Sequence, residues 1–312
     1  MQIRIPGSAA GGRFPQWNCG CGNCVAVRDT TRFKKASRKA RTQAQLALSA
    51  DGSSWFLAGA SPDLASQIES SPELHPRALD KTTRDSPIAG VVLASADLDH
   101  VVGLLLLREL QPLRVYAAPS ILRILREENS MFGMLNRVDP QVVWTPITPG
   151  APFSLLSGQG KDTGLRCEVH YLSGRYPRYV KTEAAKLAPD EATAALFFAS
   201  DAGKRVAYAP AVSSVSDTLL EKIRHADLLL FDGTFWSDDE LQRVQGSGET
   251  AHQMGHIPVE ESLRLLKNLE VKRKMFIHLN NTNPILNEAS PEYHAVRQAG
   301  WEVAEDNWQL EL

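Results

Sequence analysis

Three short apolar runs, each ending in polar side chains, constrain this 312-residue chain most. They are AGVVLA ahead of SADLDH (residues 89–100), LLLF ahead of DGT (228–234) and MFI ahead of HLNN (275–281). Runs this short, bounded by turn signals, suit strands buried on both faces better than helices. Buried strands whose ends carry Asp97, Asp99, His100, Asp232 and His278 predict a polar rim, where folds of strands and helices place their chemistry.

Between these runs, hairpins alternate with strand–helix units. Residues 44–60 read as a hairpin turning at Asp51-Gly52, and ATAALFFAS with RVAYAPA as another turning at 201–204. MQIRIP, PLRVYAA, QVVWTPI and LRCEVHYL are further strands. VVGLLLLREL, PSILRILREEN, SDTLLEKIRHA and PVEESLRLLKNLE are helices, and residues 290–312 supply a last helix and the strand GWEVAED. The mixture predicts an α/β protein of two mixed sheets with helices outside, not a purely parallel doubly wound sheet.

Composition narrows the partners. With 43% hydrophobic and 22% charged residues and a net charge of −2, there is no basic surplus to neutralise phosphates, so nucleic acid is not expected. No apolar stretch approaches the ~20 residues of a membrane span, and MQIRIPGSAAGG lacks a signal-peptide pattern. A cytoplasmic protein with no membrane partner is the expectation.

Metal-ligand candidates fall in four places. Cys19, Cys21 and Cys24 lie in WNCGCGNC, a glycine-rich loop that lets three thiolates wrap one tetrahedral ion. A structural zinc is expected there, its fourth ligand either Cys167 or a residue near His278. Asp99 and His100 are neighbours, and on spacing alone they suit a metal pair or, with Asp97, a helix cap. His252 and His256 flank Gln-Met-Gly ahead of Pro258, which argues for a loop before a helix. His252 reads as a surface residue and His256 as the site candidate. His278 precedes the amide-rich run NNTN, which needs a polar pocket to satisfy it.

Together these pieces resemble the metallo-β-lactamase superfamily, and more closely the pyrroloquinoline quinone (PQQ) biosynthesis protein B family. The matching stretches are GSAAGG with FPQWNC and the three cysteines, ARTQ, ASPDL, DLDHVVGLLLLRE, LFDGT followed by DDE, MGHI and HLNNTNPIL. Arg13, YAPA and a compressed TAHQMGHIPVEE depart from the family pattern. The resemblance implies a single metallo-β-lactamase-like domain over 1–312, an αββα sandwich of two mixed sheets flanked by helices, with the cysteine zinc loop at about 13–25. The superfamily motif H-x-H-x-D-H falls on Ser95, Asp97, Asp99 and His100. Its next histidine falls at Arg175 and its bridging aspartate near Ala211, while its last histidine is kept as His278.

One of two metal positions has therefore lost its ligands. Two histidines and a carboxylate suit a non-haem Fe(II) site, whereas a dinuclear hydrolase needs a second ion about 3.5–4 Å away. By this resemblance Asp99, His100 and His278 hold the ion. Asp97 is a weak ligand or an acceptor that orients His100. His256 and Asp232 serve proton transfer or orientation, Arg175 meets a substrate carboxylate, and Asn281 falls at the fourth position of the cysteine zinc. The implied reaction is Fe(II)- and O2-dependent hydroxylation of the tyrosine ring of a Glu–Tyr-derived dipeptide. A mononuclear zinc hydrolase and a non-catalytic carrier of the quinone, with a transport role, are the alternatives. A homodimer is left open.

Overall fold

The computed structural model describes residues 1–29, 37–77, 84–138, 141–181 and 186–312. In chain order the elements are β1 (Gln2–Gly7), α1 (Gly22–Arg28), β2 (Gln45–Ser49), β3 (Trp55–Ala58), α2 (Leu64–Glu69), β4 (Ile88–Val92), α3 (Leu98–Val101), β5 (Leu113–Ala117), α4 (Pro119–Arg126), β6 (Val142–Pro146), β7 (Phe153–Leu156), β8 (Asp162–Leu172) and β9 (Thr193–Ser200). They continue as β10 (Arg205–Ala209), α5 (Asp217–Ile223), β11 (Leu228–Asp232), α6 (Glu240–Gln245), α7 (Val259–Leu265), β12 (Arg273–Ile277), α8 (Pro291–Gln298), β13 (Glu302–Val303) and β14 (Trp308–Glu311). They build two mixed seven-stranded sheets flanked by helices, the fold class expected from the sequence. The chain divides into two compact units.

The first unit comprises Met1–Pro6, Gln45–Arg205 and Asn307–Leu312. Its complete sheet runs β14-β1-β2-β3-β4-β5-β6. The 44–60 hairpin is present, with β2 antiparallel to β3, and its turn is held by the Asp51 carboxylate accepting from the backbone N–H groups of Ser53 and Ser54, both at 2.8 Å. β3 to β6 are parallel, and β4 is buried at every residue, as its unbroken apolar run requires. α4 turns Ile121, Leu122, Ile124 and Leu125 inward, the i, i+3, i+4 stripe of an amphipathic helix. β7, β8 and β9 form an antiparallel trio, the part of the second sheet that lies in this unit.

The helix expected over 101–110 is instead a single α turn, α3, followed by a 3-10 stretch, Val102–Leu107. Gly103 shows why. Its N–H bonds to the Ala60 carbonyl at 2.9 Å rather than to its own helix. A Cβ there would lie 2.2 Å from the Ser61 carbonyl oxygen. The segment is pinned to a neighbouring backbone, and regular α-helix gives way.

The second unit comprises Gly7–Ala44 and Val206–Asp306. β10, β11, β12 and β13 run parallel, with Asp232 opposite Ile277 at the ends of β11 and β12. β11 is buried at every residue and β12 over Met275–Ile277, and Trp301 stacks on Phe276 at 4.3 Å between ring centres. The cysteine region, expected as a loop, becomes helical from Gly22 onward. The closing strand expected in GWEVAED is only two residues long, and β14 follows it separately. No helix among the described residues is long and apolar enough to cross a membrane.

Candidate metal centre

In the first unit the chain leaves β4, turns through Ser95 and Ala96, and enters α3 with Asp99 and His100 in its first turns. Ligand atoms of Asp99 and His100 lie within 4.8 Å of each other. Asp97 occupies the N-cap position of α3 but its carboxylate makes no capping bond. Instead it accepts the Ser95 hydroxyl hydrogen at 2.8 Å. A serine hydroxyl has one hydrogen to give. With that hydrogen on Asp97, Ser95 Oγ accepts from the Asp97 N–H at 3.2 Å and from His100 Nδ1 at 3.0 Å. The network therefore assigns His100 as the Nδ1–H tautomer, with the lone pair on Nε2. Asp97 acts on His100 through Ser95, a residue that the sequence reading treated only as a replaced histidine. Tyr179 closes this corner by donating its hydroxyl to the Ala96 carbonyl at 2.5 Å. Burial first, and then Asp97, pushes that phenol up to about 12.

The second unit carries a similar device. Asp232 ends β11 fully buried. Its carboxylate accepts from Thr234 N–H at 3.0 Å, Thr234 Oγ1 at 2.7 Å, Val212 N–H at 2.8 Å and His256 Nδ1 at 2.8 Å. Those contacts account for both carboxylate oxygens and make Asp232 an anchor. Asp232, His256 and His278 nevertheless offer ligand atoms within 4.8 Å of one another. His278 Nδ1 lies 2.8 Å from Thr234 Oγ1, and His256 Nδ1 lies 3.0 Å from the same atom. The two imidazoles stack at 5.5 Å, 22° apart. His278 sits at φ +61°, a conformation uncommon outside glycine. Gly233 permits the close approach beneath it, because a Cβ there would meet Leu279 and Phe276 side-chain atoms at 2.8 Å.

Beside this lies the cysteine cluster. The sulfurs of Cys19, Cys21 and Cys24 are within 4.8 Å of one another. Thiolates bound at about 2.3 Å to a tetrahedral ion stand roughly 3.8 Å apart, so the trio fits one. Asn281 faces all three, its amide nitrogen 3.1 Å from Cys19, 3.4 Å from Cys24 and 3.7 Å from Cys21. Asn23 ties the two segments together by donating to the carbonyls of Asn281 and Asn283 at 3.2 and 3.0 Å. Burial pushes the Cys24 thiol up to about 12. For Cys19 burial is outweighed by hydrogen bonds led by the Cys21 N–H, and its thiol is held below the usual value. Cys167, the other candidate for the fourth position, is a fully buried interior residue of β8 whose thiol is raised by burial and donates to its own neighbour's carbonyl.

Other expected residues fall as follows. Arg175 is exposed on the segment after β8. His252 is an exposed residue paired with Glu261 at 2.9 Å, and His256 follows it in a loop ahead of α7. Thr234 was missed. Its signal was present in DGT, where a hydroxyl two residues past a buried strand-end acid can reach back to that acid. Glu240, from the acidic run DDE, was also missed. It accepts from Thr282 Oγ1 and the Trp236 N–H, and burial pushes it up to about 7.

A family model described as the β-lactamase superfamily domain matches residues 54–279. Coenzyme PQQ synthesis protein B of Gluconobacter oxydans is 40% identical over all of this chain and 99% of its own length. Its namesake in Methylobacterium radiotolerans is 38% identical, with full coverage of both chains. A crystal structure of Zn(2+)-bound PqqB from Methylobacterium extorquens superposes with a TM-score of 0.88 at 38% identity, covering both chains completely. A diphosphatase of the PhnP family shares the fold alone, with a TM-score of 0.67 at 18% identity over 97% of its length. With relatives of this identity along its whole length, the chain belongs to the coenzyme PQQ synthesis protein B family, within the β-lactamase superfamily.

Proposed function

We propose that this chain catalyses an iron- and oxygen-dependent hydroxylation in PQQ biosynthesis, acting on the tyrosine ring of a Glu–Tyr-derived dipeptide. The observation that carries the reading is full-length similarity to PQQ synthesis protein B in a chain whose H-x-H-x-D-H motif has shrunk to Asp99 and His100, with His278 kept. Two histidines and one carboxylate form the donor set of non-haem Fe(II) oxygenases. Bound Fe(II) would supply the one-electron and dioxygen chemistry that side chains lack.

The chain's own residues have separate tasks in this reading. Asp99, His100 and His278 hold the ion. Asp97, through Ser95, fixes the ring orientation of His100. Asp232 holds His256 by its Nδ1, which directs the basic Nε2 outward for proton transfer. Arg175 receives a substrate carboxylate, for which its planar fork is suited. Cys19, Cys21 and Cys24 bind a structural zinc that ties the N-terminal loop to the segment after β12, with Asn281 at the fourth position, where its side-chain oxygen and not its NH2 would be the ligand. The small peptide-derived substrate and O2 are the partners this requires.

Anaerobic Fe(II) titration with the dipeptide, followed by admission of O2, is expected to give a product one oxygen heavier. His100→Ala and His278→Ala are each expected to lower Fe(II) affinity and turnover at least ~100-fold. Absence of Fe(II) binding, or normal turnover by either variant, overturns the reading. A mononuclear zinc hydrolase is the second reading, and the Zn(2+)-bound relative favours it. Zinc-dependent cleavage of ester or phosphodiester probes without O2 would put it first.

A further inference from the structure

Thr234 is a buried hydroxyl in contact with three ionisable side chains, and its hydrogen can serve only one of them. Thr234 Oγ1 and Asp232 Oδ1 stand 2.7 Å apart. An ionised carboxylate only accepts, so this contact is a bond only if Thr234 donates. Were the hydrogen turned toward either histidine, two acceptor oxygens would face each other at that distance inside the protein. With the hydrogen spent on Asp232, Thr234 Oγ1 accepts from His278 Nδ1 at 2.8 Å and from His256 Nδ1 at 3.0 Å. The His256 hydrogen is shared with Asp232 Oδ2 at 2.8 Å.

We propose that Thr234 is a positioning residue that sets the Nδ1–H tautomer of His278, as Asp232 sets that of His256, so that the pair presents two basic Nε2 atoms, one to bind metal and one to take a proton. The hydroxyl can do this because its own place is fixed. Its N–H bonds Asp232 at 3.0 Å, and its carbonyl accepts from the Asn280 N–H at 3.1 Å and the Asn283 amide at 3.3 Å. The Asn280 bond crosses to the segment that carries His278, so hydroxyl and imidazole keep their register. A partner that orients a ligating histidine is worth about 10–100-fold in metal affinity. The metal part of the inference rests on His278 being a ligand, as proposed above, whereas the tautomer part does not.

The test separates the two. Long-range nitrogen–proton NMR of the imidazoles is recorded on metal-free protein above the histidine titration range, with His256 and His278 assigned from His→Gln variants. The expected result is Nδ1–H for both residues in the unaltered chain and in Thr234→Ser. In Thr234→Val, which keeps the shape and removes the oxygen, His278 is expected to move to the Nε2–H form. Zn(II) and Fe(II) affinity by chelator competition is expected to fall ~10–100-fold in Thr234→Val and to be restored in Thr234→Ser. If Thr234→Val does not fold, Thr234→Ala gives the same contrast. An unchanged His278 tautomer in the oxygen-free variant overturns the proposal, as does equal loss in Thr234→Ser. A changed tautomer with unchanged metal affinity keeps the positioning role and overturns His278 as a ligand.

Discussion

In the first unit, an acid, a hydroxyl and a histidine lie within six residues of sequence, Ser95, Asp97 and His100. In the second unit the same three groups come from Asp232, Thr234 and His278, drawn from two parallel strand ends 46 positions apart, with His256 added from a loop. Both hydroxyls give their hydrogen to a carboxylate and accept from an imidazole Nδ1. They differ in what holds them. The Ser95 hydroxyl takes its bonds from its own turn, whose backbone is also bridged to Thr193 and held by Tyr179. Thr234 depends on the β11–β12 register and on a glycine that lets the strands' ends meet. A local device survives small shifts of the sheet, whereas an assembled one inherits every error in it.

The backbone approaches behind the two devices offer the sharpest contrast. Gly103→Ala is expected to cost ~3 kcal/mol or more, since the new methyl meets backbone oxygen at 2.2 Å. Gly233→Ala meets a Leu279 methyl and Phe276 Cβ at 2.8 Å and the Ile277 carbonyl oxygen at 3.0 Å, a less severe approach than at Gly103, and is expected to cost ~2–3 kcal/mol. Urea unfolding of both variants checks the order. Asp232→Asn comes next at ~2 kcal/mol, because its NH2 would face N–H donors in a fully buried place. Asp97→Asn, at a half-buried turn, is expected to cost about 1 kcal/mol. Equal costs would erase the distinction between the anchor and the local acceptor.

Glu240 sharpens the comparison by pH, having no counterpart in the first device. Burial raises it to about 7 from 4.5, so the folded state holds the proton more tightly than the unfolded chain. Its contribution is complete below about 4.5 and is lost as pH rises through about 7. Stability measured across that window is expected to fall by ~2–3 kcal/mol, and Glu240→Gln to flatten the profile. The smallest effect is expected from Ser95→Ala, about a 10-fold loss of metal affinity with little change in stability. A loss larger than that of Thr234→Val would reverse the ranking of the two hydroxyls.

Much of this was legible in the residues. The unbroken apolar runs of β4 and β11 gave themselves away because a strand buried on both faces has no room for alternation. The cysteine trio announced itself by spacing. β7 escaped notice because its four residues carry a register shift and little periodicity, and α1 because glycines and cysteines mask its pattern. The role of Ser95 escaped because a serine in place of a histidine reads as a loss.

By itself, the sequence determined which chemical groups stand at strand ends and which thiols share a loop, because burial and local spacing are written along the chain. Only the tertiary structure decided which acid serves which histidine. That choice depends on where a single hydroxyl hydrogen can point, and the answer lies in distances between Asp232, Thr234, His256 and His278 that no interval of sequence contains.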